Sequence, residues 1–232
     1  MSERLRLSSP APTIVGLIVA LGWPMLFLAL PGQTHQDVGN GSQDVQIILM
    51  EWAAVIAVAL IVIFWERLPF FASVGFRRPG WRDALAVVIM LCLMAIAIVA
   101  AAFVFHARGA VFSTADPRKI LQLPLVLRVS IVLTAGICEE ILFRGYAIER
   151  VTALTGKVWI GAVAAIVLFT LGHVPRYGFS VGLFGVAVIA LLLTLLYVRR
   201  RNLWPCIAAH CVIDGLPLIV APAFVHAHLM TG

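Results

Sequence analysis

The stretch GICEEILFRGY, residues 136–146, decides how this chain is read. Glu139 and Glu140 stand together at the end of a long apolar run, and Arg144 follows one helical turn later. A charge in such a place is costly unless it is paired or used. Glu140 and Arg144, four residues apart, face each other across a turn, so pairing explains both. It does not explain Glu139, which points about 100° away around the helix.

The surrounding sequence makes those charges more unusual. Of 232 residues, 62% are hydrophobic and 12% charged, against about half and a quarter in a soluble domain. The apolar residues fall in blocks at 13–30, 45–65, 84–105, 121–138, 158–171, 181–198 and 203–224. Each is close to the roughly 20 residues that cross a bilayer as a helix. This predicts an all-α polytopic membrane bundle of seven spans. The fifth is short, and Pro217 and Pro222 interrupt the last, which allows an eighth. Spanning segments are helical because lipid offers backbone groups no partner. No soluble domain or fixed repeat is visible, so the chain reads as one transmembrane domain over 1–232, with its chemistry concentrated at about 120–220.

The net charge of +6 does not point to nucleic acid. With the N-terminus in the cytoplasm, the inside segments hold Arg4, Arg6, Arg67, Arg77, Arg78, Arg82, Arg150, Lys157, Arg199, Arg200 and Arg201, and the outside segments hold Arg108, Arg118, Lys119 and Arg176. That asymmetry follows the positive-inside rule. Residues 66–82, with Phe, Leu and Trp among four arginines, read as an interfacial segment, and the polar stretch 31–44 as an outside loop. Cys92, Cys138, Cys206 and Cys211 all lie in apolar runs, which predicts small buried thiols rather than a disulfide framework. Arg128, inside the fourth span, is expected to snorkel. Glu51, near the start of the second, is expected to reach the interface or a neighbouring helix. His226 and His228 read as an ordinary tail.

Two further helices carry polar groups that could meet Glu139. The fifth span ends FTLGHVP, with Phe169 and His173 four apart, and the last contains AAHCVIDG, with His210 and Asp214 four apart. Glu139 and His173 are equidistant from Gly156 in the turn LTGK. An antiparallel hairpin there puts both about 25 Å up their helices, at one depth. His210 is only about 13 Å from the Arg199–Arg201 turn. Either the fourth and fifth helices project or the Arg turn is sunk.

The ordered set EExxxR (Glu139, Glu140, Arg144), FxxxH (Phe169, His173) and HxxxD (His210, Asp214), on successive apolar helices, resembles the CPBP family of intramembrane glutamic endopeptidases. This is the CAAX-protease and bacteriocin-processing group, also called Abi. The segment SVGFRRPGW ahead of the third span resembles that family's lead-in. The resemblance implies a peptide-bond hydrolase of the bacterial inner membrane acting on a membrane-associated protein or peptide. Glu139, with His173, would be the general base on a water, and His210 would donate to the oxyanion or orient the water. Asp214 would hold the His210 tautomer, and Glu140 with Arg144 would position Glu139. Eukaryotic prenyl-protein-processing members carry Asn where this chain has Asp214, and Asp occurs in bacterial members. An ionised Asp cannot donate to an oxyanion, so Asp214 would be protonated or act through a neighbour.

The resemblance implies chemistry without a cofactor. The alternative is zinc on Glu139, His173 and His210, two imidazoles and a carboxylate, although no H-E-x-x-H sets two ligands on one helix. A second alternative is a non-catalytic immunity or partner-binding membrane protein.

Overall fold

The computed structural model describes residues 10–28, 40–106 and 117–223. Arg4 and Arg6, most of the 31–44 loop, Arg108 and the tail with His226 and His228 lie outside the described residues. Those described form helices joined by short turns, and no strand occurs among them. In order they are α1 (Pro10–Leu28), α2 (Gly41–Leu60), α3 (Phe70–Ser73), α4 (Trp81–His106), α5 (Pro117–Gln122), α6 (Leu125–Thr134), α7 (Glu149–Thr155), α8 (Val158–Gly172), α9 (Val174–Tyr177), α10 (Val181–Arg200) and α11 (Leu203–Gly215). A π-helical segment, Ala135–Ile148, joins α6 to α7. The result is one unbroken rod from Leu125 to Thr155, and α1, α2, α8 and α11 pack around it.

Among the described residues, five helices are long and apolar enough to cross a membrane: Gly41–Trp65, Trp81–Ala101, Val158–Tyr177, Val181–Arg200 and Leu203–Ala223. The polytopic helical bundle read from the sequence is therefore the fold, with two corrections to its spans. The fourth does not end at Cys138, because the charges at Glu139, Glu140 and Arg144 are taken up by neighbouring helices and the rod continues. The last is not split by its prolines. It widens to π-helical turns at Leu216–Val220 and remains one helix. Pro222 has no N–H to give the Leu218 carbonyl four residues back, and Arg128 Nη1 supplies a donor there at 3.3 Å. Arg128 is thus tied to a helix rather than snorkelling.

The hairpin turns at Gly156, whose φ of +73° suits glycine and whose N–H bonds the Thr152 carbonyl at 2.8 Å. The turn between α10 and α11 does not lie level with it. Arg201 pairs there with Glu149 at 3.1 Å, seven residues before Gly156, so the α7–α8 hairpin projects about 10 Å past the neighbouring turn. Glu139 is ten residues from Glu149 and His210 nine from Arg201. The projection brings both to one depth and decides between the two readings of the Arg turn.

Arg150 is not a surface cation of the inside segments. It is fully buried, its Nη2 lies 2.7 Å from Glu66 Oε2 and its Nη1 donates to the Ser73 carbonyl at 3.0 Å. Thr13 and Tyr146 also donate to Glu66. This network pins α1, the end of α2's helix, α3 and the rod together. Around α3 the 66–82 segment leaves Phe71 and Trp81 largely exposed and buries Val74, as an interfacial strap would. All four cysteines are free. Cys138 and Cys206 are buried as expected. Cys92 is exposed, because α4 lies at the rim of the bundle with little of its surface covered.

Candidate active site

Two close helix approaches assemble the site. A methyl on Gly161 would lie 2.8 Å from the Ile148 carbonyl oxygen, so only glycine lets α8 come this near the rod. A methyl on Gly136 would collide with Cys211 Sγ and sit 3.3 Å from the Cys211 nitrogen, so Gly136 does the same for α11. The two motif-bearing helices are thereby held against the segment that carries Glu139.

Between them lies a cavity of about 260 Å³. Glu139, His173, His210, Asp214 and Phe169 all line it, so the structure brings together every side chain that the three motifs nominate, apart from the Glu140–Arg144 pair behind its wall. Glu139 is 7% exposed. His210 Nε2 stands 3.7 Å from Glu139 Oε2 and 3.6 Å from Asp214 Oδ2. Both separations exceed a direct hydrogen bond, and the cavity between them has room for water.

Glu140 is the anchor behind this surface. Its Oε1 accepts from Arg144 Nη1 at 2.8 Å, as the four-residue spacing implies. The same oxygen lies 2.8 Å from His210 Nδ1. An ionised carboxylate only accepts, so Nδ1 carries the proton and Nε2 faces the cavity. Glu140, not Asp214, therefore orients His210, which corrects the role inferred for Asp214. Sequence spacing could not reveal this, because the two residues are seventy positions apart on different helices.

Phe169 explains why an aromatic belongs four residues before His173. Its ring packs edge-on to Phe143, with centroids 5.1 Å apart, and carries the Arg144 guanidinium at 4.4 Å. It also lies 4.6 Å from the His173 ring. It is both the floor of the cavity and a cation–π partner for the buried arginine. At the C-terminus of α8, His173 Nδ1 lies 2.8 Å from the Phe169 carbonyl oxygen. That oxygen only accepts, so Nδ1–H donates to it and Nε2 is left with a lone pair. The two imidazoles are thus fixed by different neighbours, one by a carboxylate and one by backbone.

Sequence reasoning missed Glu51. It is 3% exposed and lines the same cavity, turned inward toward the rod and α11 rather than out to the interface, and among the described residues its Oε2 has no hydrogen-bond partner. Among the described residues no group of three or more His, Cys, Asp or Glu side chains is arranged to hold a metal ion.

The described residues thus form a helical membrane bundle with an acid and two histidines around an internal cavity. Residues 121–216 match the family described as type II CAAX prenyl endopeptidase Rce1-like. That segment, under half of the chain, contains all three motifs. No curated protein and no solved structure matches the chain. The chain is accordingly a helical membrane protein with a segment similar to that endopeptidase family.

Proposed function

We propose that this chain is a glutamic intramembrane endopeptidase in which Glu139 and His173 activate a water against the peptide bond of a membrane-associated substrate. The observation that carries the reading is the convergence of Glu139, His173, His210 and Asp214, from three helices, on one cavity. The Glu139 carboxylate, assisted by the His173 Nε2 lone pair, accepts a proton as the water oxygen bonds to the scissile carbonyl carbon. The carbonyl electron pair moves onto oxygen, where His210, carried as the doubly protonated imidazolium among the Glu139, Glu140 and Asp214 carboxylates, offers an Nε2–H donor while Nδ1–H stays on Glu140. Collapse of the tetrahedral species re-forms C=O, breaks the C–N bond and returns the proton from Glu139 to the leaving amine. Asp214 borders Nε2 and helps hold the water rather than donating to the oxyanion.

The test is proteolysis of membrane-associated peptides by purified protein in detergent, with products identified by mass spectrometry. Glu139→Gln should lower turnover about 10³-fold at unchanged melting temperature. Equal cleavage by wild type and Glu139→Gln would remove this residue from the chemistry. The same preparation distinguishes the zinc alternative, because this mechanism expects full activity after chelator treatment. Inactivation by chelator with recovery on added zinc would overturn it.

A further inference from the structure

The cavity has a wall that the three motifs do not supply. Asp44, Ile47, Ile48 and Glu51 all line it. They occupy positions i, i+3, i+4 and i+7 of α2, which is one face of a helix. This face belongs to a helix outside the 121–216 segment that carries the motifs. It is held in register by Trp52, whose indole Nε1 donates to Thr134 Oγ1 at 3.1 Å.

Glu51 is the unexplained member of that face. It is almost wholly buried, and among the described residues its Oε2 has no hydrogen-bond partner. The charged neighbours that act on it are Glu139 and Asp214, both acidic, while His210 and Arg176, basic residues of the same cavity, lie against Glu140 and over the Tyr177 ring. A buried carboxylate without a donor or counter-charge costs several kcal/mol, and a leucine or methionine there would avoid that cost. Glu140, by contrast, has Arg144, and Glu66 has Arg150. A carboxylate of this kind, set in a cavity wall, is complementary to a cation that arrives with a ligand.

We infer that Glu51 is a specificity-determining residue that takes a lysine or arginine side chain of the substrate close to the scissile bond. The inference rests on the endopeptidase reading above and adds the chemistry of the substrate to it. Ile47 and Ile48, next to Glu51 on the same face, contact the aliphatic part of that side chain or an adjacent apolar residue. A substrate with a basic residue flanked by apolar ones matches this wall, and one with an acidic residue there meets Glu51, Glu139 and Asp214 together.

The experiment uses full-length protein in detergent and membrane-associated peptides that differ only in lysine, norleucine or glutamate at each position within three of the cleaved bond. Wild type should cleave one lysine peptide with a kcat/KM at least about tenfold above its norleucine counterpart. Glu51→Gln, nearly isosteric, should bring that ratio to within about twofold of unity. Glu51→Lys should favour the glutamate peptide. If Glu51→Lys does not fold, the ratio for Glu51→Gln still decides. A wild type without preference for a basic residue at any position overturns the inference, and so does a preference that survives Glu51→Gln. Failure of the endopeptidase reading shows differently, as cleavage insensitive to Glu139→Gln. In that event, fluorescence anisotropy of the labelled lysine and norleucine peptides on Glu139→Gln, with and without Glu51→Gln, reads the subsite through binding. Equal affinities there also overturn it.

Discussion

Replacing Arg144 with methionine tests the network on which the site is built. Arg144 and Glu140 are both wholly buried and 2.8 Å apart. Removing one partner of a buried pair leaves an uncompensated charge and typically costs about 3–5 kcal/mol. Two local facts adjust that figure. His210 Nδ1 still donates to Glu140, which retains part of the compensation, whereas the cation–π contact with Phe169 is lost. The net expectation is about 3 kcal/mol, at the lower end of the range. For a chain of this size that corresponds to a fall in melting temperature of roughly 6–12 °C. The assay is thermal unfolding in detergent, followed by intrinsic tryptophan fluorescence. The double variant Glu140→Gln/Arg144→Met removes both charges and keeps an amide oxygen to accept from His210. It should recover at least half of the lost stability. A single variant melting within about 2 °C of wild type, or a double variant no more stable than the single, would refute the account of Glu140 as a charge held jointly by Arg144 and His210.

Two other perturbations separate structural roles from those of the site. Arg150→Met strips Glu66 of its guanidinium partner and leaves only the Thr13 and Tyr146 hydroxyls. It should lower stability by about 3–5 kcal/mol, measured by thermal melting, while turnover per folded molecule stays within about twofold. Gly136→Leu forces α11 away from the rod and should cost about 1–3 kcal/mol, with turnover falling further because His210 rides on α11. Gly22→Ala, where a methyl meets nothing within 4 Å, should instead be neutral or stabilising by up to about 1 kcal/mol. Equal effects from the two glycine substitutions would sink the close-approach argument.

The fold was legible to the extent that hydropathy records burial in lipid. α2, α4, α10 and α11 fall where the apolar blocks place them. The rod does not, because a hydropathy scan ends a span at its first charges, whereas Glu139, Glu140 and Arg144 are accommodated by α8 and α11. The positive-inside pattern assigned Arg150, Arg200 and Arg201 to the inside segments but could not show that each is paired with an acid on another element. Spacing within a helix was reliable: Glu140 with Arg144, Phe169 with His173, and His210 with Asp214 are all neighbours as read. Spacing between helices was reliable only where a turn fixed the origin. Gly156 did so for Glu139 and His173. For His210 the counting began from the Arg199–Arg201 turn, and the offset of that turn from Gly156 is set by the Glu149–Arg201 pair, a contact that no local pattern encodes.

Glu51 marks the boundary of what periodicity can say. The i, i+3, i+4, i+7 face that contains it is visible in the sequence, and so is the unusual acid in it. A face that packs against another helix and a face that lines a cavity are both shielded from lipid, however, and carry the same signature. What separates them is whether a donor waits on the opposite side. For Glu66, Arg150 on the rod does, and for Glu140, His210 on α11 does. For Glu51 the opposite side holds Glu139 and Asp214. His210 balances Glu139 and Asp214 in part, and a further carboxylate beside them is stable only if the space receives protons or a cation. The same arrangement that makes α2 an expensive wall for an empty bundle is the one on which the proposed preference for a basic substrate residue draws.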